Sequence, residues 1–447
     1  MIKQLKKKVF SVALQSIDFY HEEADCTNSS LSLLPSTLSW VPEHFSYAAY
    51  SIADAKEAVE KDQLKVWARF YKKTPKGSVQ IRAVNTTPNL PDELSRKAFE
   101  RFAGKDALGE IEPTRVFFGS SGQSVFRGKR SNVPFKVSGS KFPELGVGIY
   151  DNIWRWDYRT LSSKSTDDEA VWNKTWIPFD VSQHRIFITL DRPKSPWSTS
   201  SFKELRGTSS PDSPIWTEAL YIACLWASGS KTIEEAGKKI ADELFNCGKF
   251  VYHPDSHYSK DTDNQETTFF LSKVIERIQG GNGLGEKVNC VDCSLIVSTL
   301  TNVLGGNLRI GKLQHTSDTN YSDPEIVKKN RFEINTIRAI GIKDTATTMA
   351  SLESEGKHYF SFHSIAWQPA DNESPNFDDP KNIIYDACVQ VITGEENAET
   401  EVETASRIPM GEDDNPSGYR SQLAAPTKQG IASCIAQDST VRKILVQ

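Results

Sequence analysis

The segment Asn289-Cys290-Val291-Asp292-Cys293-Ser294 opens a run in which Cys293, Ile296, Val297, Leu300, Val303 and Leu304 keep helical spacing. Gly305-Gly306 supplies a C-terminal stop, and Gly281, Gly283 and Gly285 make the approach a flexible loop. Cys290 therefore falls at or just before the first turn of a buried helix. Unpaired N–H groups and the helix dipole stabilise a thiolate at such a place. A thiolate so placed is a nucleophile that needs a base. His363 is the candidate. It lies in the apolar strand 359–367, where a period of two puts Tyr359, Ser361, His363, Ile365 and Trp367 on one face. The next strand, 383–392, is strongly apolar except for Asp386. A lone carboxylate there is costly to bury without a partner, and the imidazole of His363 is a natural one. Asp386 would fix the tautomer and orientation of His363, and His363 would take the thiol proton.

Cys290-x-x-Cys293 admits other chemistry. With His358 and His363 it formally offers two thiolates and two imidazoles to a zinc ion. The cysteine pair runs straight into a helix, however, and the gap to the histidines far exceeds the roughly 12–15 residues of a compact finger. A thioredoxin-like redox pair lacks the surrounding βαβ pattern. Each of these residues taken alone reads as an ordinary core side chain. What favours catalysis is their joint occurrence, in order, on a helix, a strand and a strand. His184 lies in a strand candidate, and His253 and His257 flank an aspartate in a loop; none has a role assigned by the pattern.

As a set, these residues resemble the transglutaminase-like superfamily. Its pattern is a nucleophilic cysteine, an aspartate two on, a glycine fifteen on, a histidine ahead of a tryptophan on one strand and an aspartate on the next. Cys290, Asp292, Gly305, His363 with Trp367, and Asp386 match in order. The resemblance covers residues 215–395. Cys293 stands where the family has an aromatic residue and Ser294 where it has alanine. Trp367 comes four residues after His363 instead of two, and Ala387 replaces a proline. The resemblance implies a papain-like α+β fold and cysteine-dependent acyl transfer on a protein or peptide amide through a thioester. Cys290, His363 and Asp386 would be the catalytic residues. Resolution by water would make a peptidase, amidase or deamidase; resolution by an amine would make a transglutaminase.

Asp292-Cys293-Ser294 is also similar to the start of the catalytic helix in NlpC-type cell-wall peptidases, which would make Cys293 the nucleophile. That family has glycine where Leu295 stands, and a shorter step from histidine to its third polar residue. No organic cofactor or metal is implied; part of the transglutaminase-like group depends on calcium, but no EF-hand-like loop occurs in the sequence. The alternative in a different class is a catalytically inactive transglutaminase-like scaffold.

These residues need elements to position them, and the chain changes texture accordingly. The expected layout is multidomain: a mixed segment 1–60, a β-rich, sandwich-like accessory region 61–200, a linker 201–214, the transglutaminase-like domain 215–395, and an acidic loop with a C-terminal extension, 396–447. Strand patterns appear at 66–71, 79–84, 114–118, 124–126, 134–137 and 185–190. Helices are expected at 216–228, from a Thr232–Glu235 capping box to about 245, and at 269–278. Trp154, Trp156, Trp172, Trp176 and Trp197 read first as core anchors, and otherwise as a binding platform for carbohydrate, peptide or a partner protein. Trp154-x-Trp156 and Pro196-Trp197 resemble a region that accompanies such domains in bacterial and phage proteins, which would imply an effector or toxin-like enzyme.

Composition narrows the classes further. The 447 residues are 38% hydrophobic and 25% charged, enough to bury cores. A net charge of -5 argues against a dedicated nucleic-acid binder. Seven scattered cysteines do not make a disulfide framework, so a reducing compartment fits. Lys6-Lys7-Lys8 before the apolar 9–14 faintly resembles a signal peptide, but the stretch is short and lacks a small-residue cleavage site. No run is long enough to span a membrane. A cytoplasmic protein, or one exported without a classical signal, is expected.

Overall fold

The computed structural model describes residues 12–18, 46–52, 65–72, 77–86, 109–125, 132–139, 142–162, 171–194, 217–255, 257–261, 266–315, 332–335, 337–342, 358–391, 406–412, 415–425, 434–438 and 443–446. The expected linker 201–214, the start of the acidic loop expected from 396, and Trp197 lie outside them. The chain forms two compact units, 1–191 and 192–447, and its described residues are mostly β.

The first unit is built on β1 (Val12–Asp18), β2 (Ser46–Ser51), β3 (Lys65–Lys72), β4 (Gly77–Asn85), β5 (Glu110–Phe118), β6 (Ser124–Val125), β7 (Asn132–Ser138), β8 (Gly148–Thr160) and β9 (Ile177–Thr189), with one helical turn, α1 (Phe142–Leu145). Their order is β1-β3-β7-β5-β4-β8-β9-β2, with β6 paired to β5. All pairs are antiparallel except β2 with β9. Alternation explains the packing: Val79, Ile81 and Ala83 of β4 are fully buried while Gln80 and Arg82 point the other way. Val12 and Leu14, part of the apolar stretch near the N-terminus, are core residues of β1.

Trp154 and Trp156 lie in the long strand β8, which the sequence patterns had not marked. Both are 0% exposed, as the core-anchor reading expects. Each buried indole N–H has an acceptor, Gly109 O at 2.9 Å for Trp154 and Ser182 Oγ at 2.8 Å for Trp156. Phe70 and Phe135 pack edge-on against Trp156, with centroids 5.5 and 5.8 Å away. Trp176 is different. It is half-buried, with the guanidinium groups of Arg82 and Arg159 at 4.3 and 4.5 Å from its ring.

The second unit carries the predicted site residues. Its helices are α2 (Thr217–Trp226), α3 (Ile233–Asn246), α4 (Leu271–Ile278), α5 (Cys290–Val303) and α6 (Tyr419–Leu423). Its strands are β10 (Val251–Tyr252), β11 (Ser259–Asp261), β12 (Glu266–Phe269), β13 (Lys287–Val288), β14 (Arg309–His315), β15 (Phe332–Ile334), β16 (Ile337–Ala339), β17 (His358–Phe360), β18 (Phe362–Gln368), β19 (Ile383–Tyr385), β20 (Val389–Val391), β21 (Ser406–Pro409), β22 (Cys434–Asp438) and β23 (Lys443–Val446). The main sheet runs β21-β19-β18-β14-β22, and α5 packs across β18 with α2 and α3 against its other sides. Strands beyond residue 395 thus complete this sheet: β21 pairs with β19, and β22 with β14. No described helix is long and apolar enough to cross a membrane.

Helix starts follow their caps. Thr232 accepts from the Glu235 N–H, and Glu235 reaches back to the Lys231 N–H at 2.8 Å. One glycine lets α3 approach the end of β19: a Cβ on Gly237 would come within 2.8 Å of the Tyr385 ring.

Candidate active site

Every residue of α5 except Val291 is buried, so it is a core helix and not an amphipathic one. Asn289 caps it with Oδ1 on the N–H groups of Val291 and Asp292, and Asp292 reaches back to the Asn289 N–H at 3.3 Å. This reciprocal cap stabilises the helix start by about 1 kcal/mol. Cys290 is the first helical residue. Of the N–H groups a helix start leaves unpaired, the cap takes those of Val291 and Asp292 and does not use that of Cys290. Asp292 has a structural occupation as well: its carboxylate accepts from Ser259 Oγ at 2.7 Å and from the His257 N–H at 3.2 Å. Gly305, at φ 95°, turns the chain out of the helix after Leu304.

The expected strand 359–367 is broken at Ser361. β17 pairs with β15, whereas β18 pairs with β14 and β19. The break lets Phe360 and His363, an odd number apart, stack with centroids 5.3 Å apart and planes 11° from parallel. Asp386 stands just past the end of β19 instead of within a strand. Its Oδ1 accepts from the backbone N–H groups of Cys388 and Val389 at 2.7 and 3.3 Å, a turn that redirects the chain into β20.

The structure brings Cys290, His363 and Asp386 together. His363 Nε2 lies 2.8 Å from Asp386 Oδ2, and both side chains are buried. The Cys290 thiol lies close enough to the His363 ring to act on its pKa by hydrogen bonding and charge, and with Nε2 given to Asp386 the remaining ring nitrogen is Nδ1. Burial alone would depress the imidazolium. The Asp386 charge, its hydrogen bond and Cys290 together outweigh burial, and the His363 pKa is raised to about 10. Cys290 is 6% exposed, Cys293 1% and Cys388 0%.

Cys293 points to a different neighbour. Its thiol shares a hydrogen bond with Cys388, which draws its pKa down. Burial and the charges of Asp292, Asp386 and Cys290 push it up and prevail. Burial raises Cys388 as well. The phenol of Tyr252 is held above its usual range by burial and by the nearby Cys388, Cys290 and Cys293. Among the described residues no group of three or more His, Cys, Asp or Glu side chains is placed to hold a metal ion. The side chain of His358 lies outside the description.

Sequence reasoning missed Asn289, although Asn-x-x-Asp before an apolar run is a cap signature. It also missed Tyr419, whose hydroxyl donates to Asp386 Oδ2 at 2.5 Å. No local pattern marks a tyrosine in a five-residue helix for that purpose.

No family model matches the chain, and no curated protein does. Among solved structures, the crystal structure of red sea bream transglutaminase is similar, at 10% identity and a TM-score of 0.32, over 79% of this chain and 52% of that one. The chain spans about half the length of that protein. At that level of likeness, the chemistry has to be argued from the side chains themselves.

Proposed function

We propose that the second unit performs cysteine-dependent acyl transfer on a protein or peptide amide. The observation that carries this reading is one buried chain of contacts: thiol of Cys290, imidazole of His363, carboxylate of Asp386. In the reaction, His363 Nδ1 takes the proton of Cys290, and the sulfur attacks the amide carbonyl carbon. The C–N bond breaks as His363 returns that proton to the leaving nitrogen, leaving a thioester on Cys290. Water or an amine then attacks the thioester, with His363 again as base. Asp386 holds the ring so that Nδ1 faces the sulfur throughout. The Cys290 N–H, left out of the helix cap, is a donor for the oxyanion.

Burial of Cys293, its raised pKa and its bond to Cys388 favour Cys290 over Cys293 as the nucleophile. The test is a pH series of alkylation by iodoacetamide on the native protein, with the labelled cysteine located by peptide mass mapping. Selective labelling of Cys290 below about pH 7, slowed at least tenfold by His363→Ala, is expected for a thiolate activated by that histidine. Labelling at Cys293 would overturn the choice of nucleophile. Silence of both thiols until unfolding would overturn the enzyme reading and leave the scaffold.

A further inference from the structure

We propose that Tyr419 is a positioning residue of this site: by donating to Asp386 Oδ2 it sets how firmly the carboxylate holds the ring of His363. The inference rests on the reading of Cys290, His363 and Asp386 as an acyl-transfer centre, and its test separates the two.

The hydrogen-bond count makes the case. An ionised carboxylate offers about four lone-pair sites. Asp386 spends two on the N–H groups of Cys388 and Val389 through Oδ1, one on His363 and one on Tyr419 through Oδ2. All four are filled, so the carboxylate is fixed in place and cannot turn away from the imidazole. The same oxygen serves His363 and Tyr419. Charge drawn toward the phenol is charge withheld from the imidazolium, so the tyrosine moderates a proton that His363 must release to the leaving group. The groups facing Asp386 come from every element around it. They are His363 from β18, Tyr419 from α6 and Cys388 from its own loop, with Cys290 and Cys293 of α5 within electrostatic reach.

Tyr419 is also held from outside the site. Arg420 Nη1 donates to Asp378 Oδ1 at 2.9 Å. Asn335 Nδ2 donates to the carbonyls of Ser421, Gln422 and Ala424 at 3.2, 2.8 and 3.3 Å, and the Asn335 N–H donates to the Leu423 carbonyl. These bonds keep α6 docked without the hydroxyl. Removing only the oxygen therefore leaves the clasp in place.

The experiment follows the His363 imidazole through its nitrogen resonances in the full-length protein as pH is raised, alongside the alkylation profile of Cys290. Tyr419→Phe should raise the pH at which His363 loses its second proton by about half a unit, a roughly threefold change in acidity. The alkaline limb of Cys290 alkylation should move with it. Tyr419→3-fluorotyrosine, a stronger donor of the same shape, should move both the opposite way, and it serves where the phenylalanine variant does not fold. Unmoved titration in a folded variant would overturn the inference and reduce Tyr419 to packing. A wild-type Cys290 that resists alkylation overturns the acyl-transfer reading alone, because the His363 titration still reads the Tyr419–Asp386 contact.

Discussion

Among the described residues two histidines are buried, one in each unit, and their chemistry is opposite. His184 sits in β9, 0% exposed, with Nε2 2.7 Å from Ser182 Oγ and its ring 4.8 Å from that of Trp154. Burial drives its pKa down to about 3, so it is a neutral core residue at any ordinary pH. His363 is as deeply buried, yet its pKa is raised to about 10. The difference is the Asp386 carboxylate and the Cys290 thiol on either side of the ring. Burial of a histidine is therefore no signal by itself; the carboxylate and the thiol beside its ring are what set His363 apart. Ser182 and Trp156 show what the first kind of site is for, since that hydroxyl links the His184 ring to the Trp156 indole N–H within the core of the nine-stranded sheet.

The contrast can be broken at its source. Asp386→Ala should leave an uncompensated buried imidazolium and destabilise the second unit by about 3–5 kcal/mol. His363 should then titrate below its usual value, as His184 does, and the low-pH alkylation of Cys290 should disappear. In the first unit the comparable loss comes from packing. Trp156→Ala should cost about 3–5 kcal/mol, read as lost hydrogen-exchange protection in β4 and β8, because the cavity faces Phe70 and Phe135.

The pH dependence sharpens the comparison because the signs differ. His363 has a raised folded pKa, so its contribution is fully present below about 6.5 and is lost as pH rises through about 10. His184 has a lowered one, so the first unit should lose stability as pH falls from about 6.5 toward 3. Each slope is at most about 1.4 kcal/mol per pH unit. Urea unfolding followed by hydrogen exchange would assign each slope to its unit, and His184→Gln should abolish the acid one. A smaller effect is expected at the helix start: Asn289→Ala should destabilise by about 1 kcal/mol and slow Cys290 labelling, since the cap orients the first turn.

Much of the site was legible because its parts obey local rules. Helical spacing from Cys293 to Leu304 and the glycines after it located α5, and the one charged residue in an otherwise largely apolar strand singled out Asp386. The strand at 359–367 was read as continuous because its residues alternate, and nothing in that alternation reveals a change of pairing partner at Ser361. β8 escaped notice because Asp151, Asn152, Arg155 and Asp157 interrupt its apolar pattern, and the pairing of Asp151 with Arg185 and of Asp157 with Arg82 forms only across strands. The role of Tyr419 and the pairing of the strands past 395 were invisible for a similar reason. Their partners are remote in sequence, and short segments declare no period of their own.

The order of these parts along the chain has a consequence for synthesis. The thiol at 290 leaves the ribosome first, the imidazole at 363 and the carboxylate at 386 follow, and the tyrosine at 419 comes last. At about 5–20 residues per second, roughly 6–25 s separate the first from the last. During that interval the sulfur has no partnered base, and the nascent chain carries an ordinary thiol among growing polypeptides rich in amides. Under the proposed function, the thiol gains its partner only when the chain through Asp386 has folded.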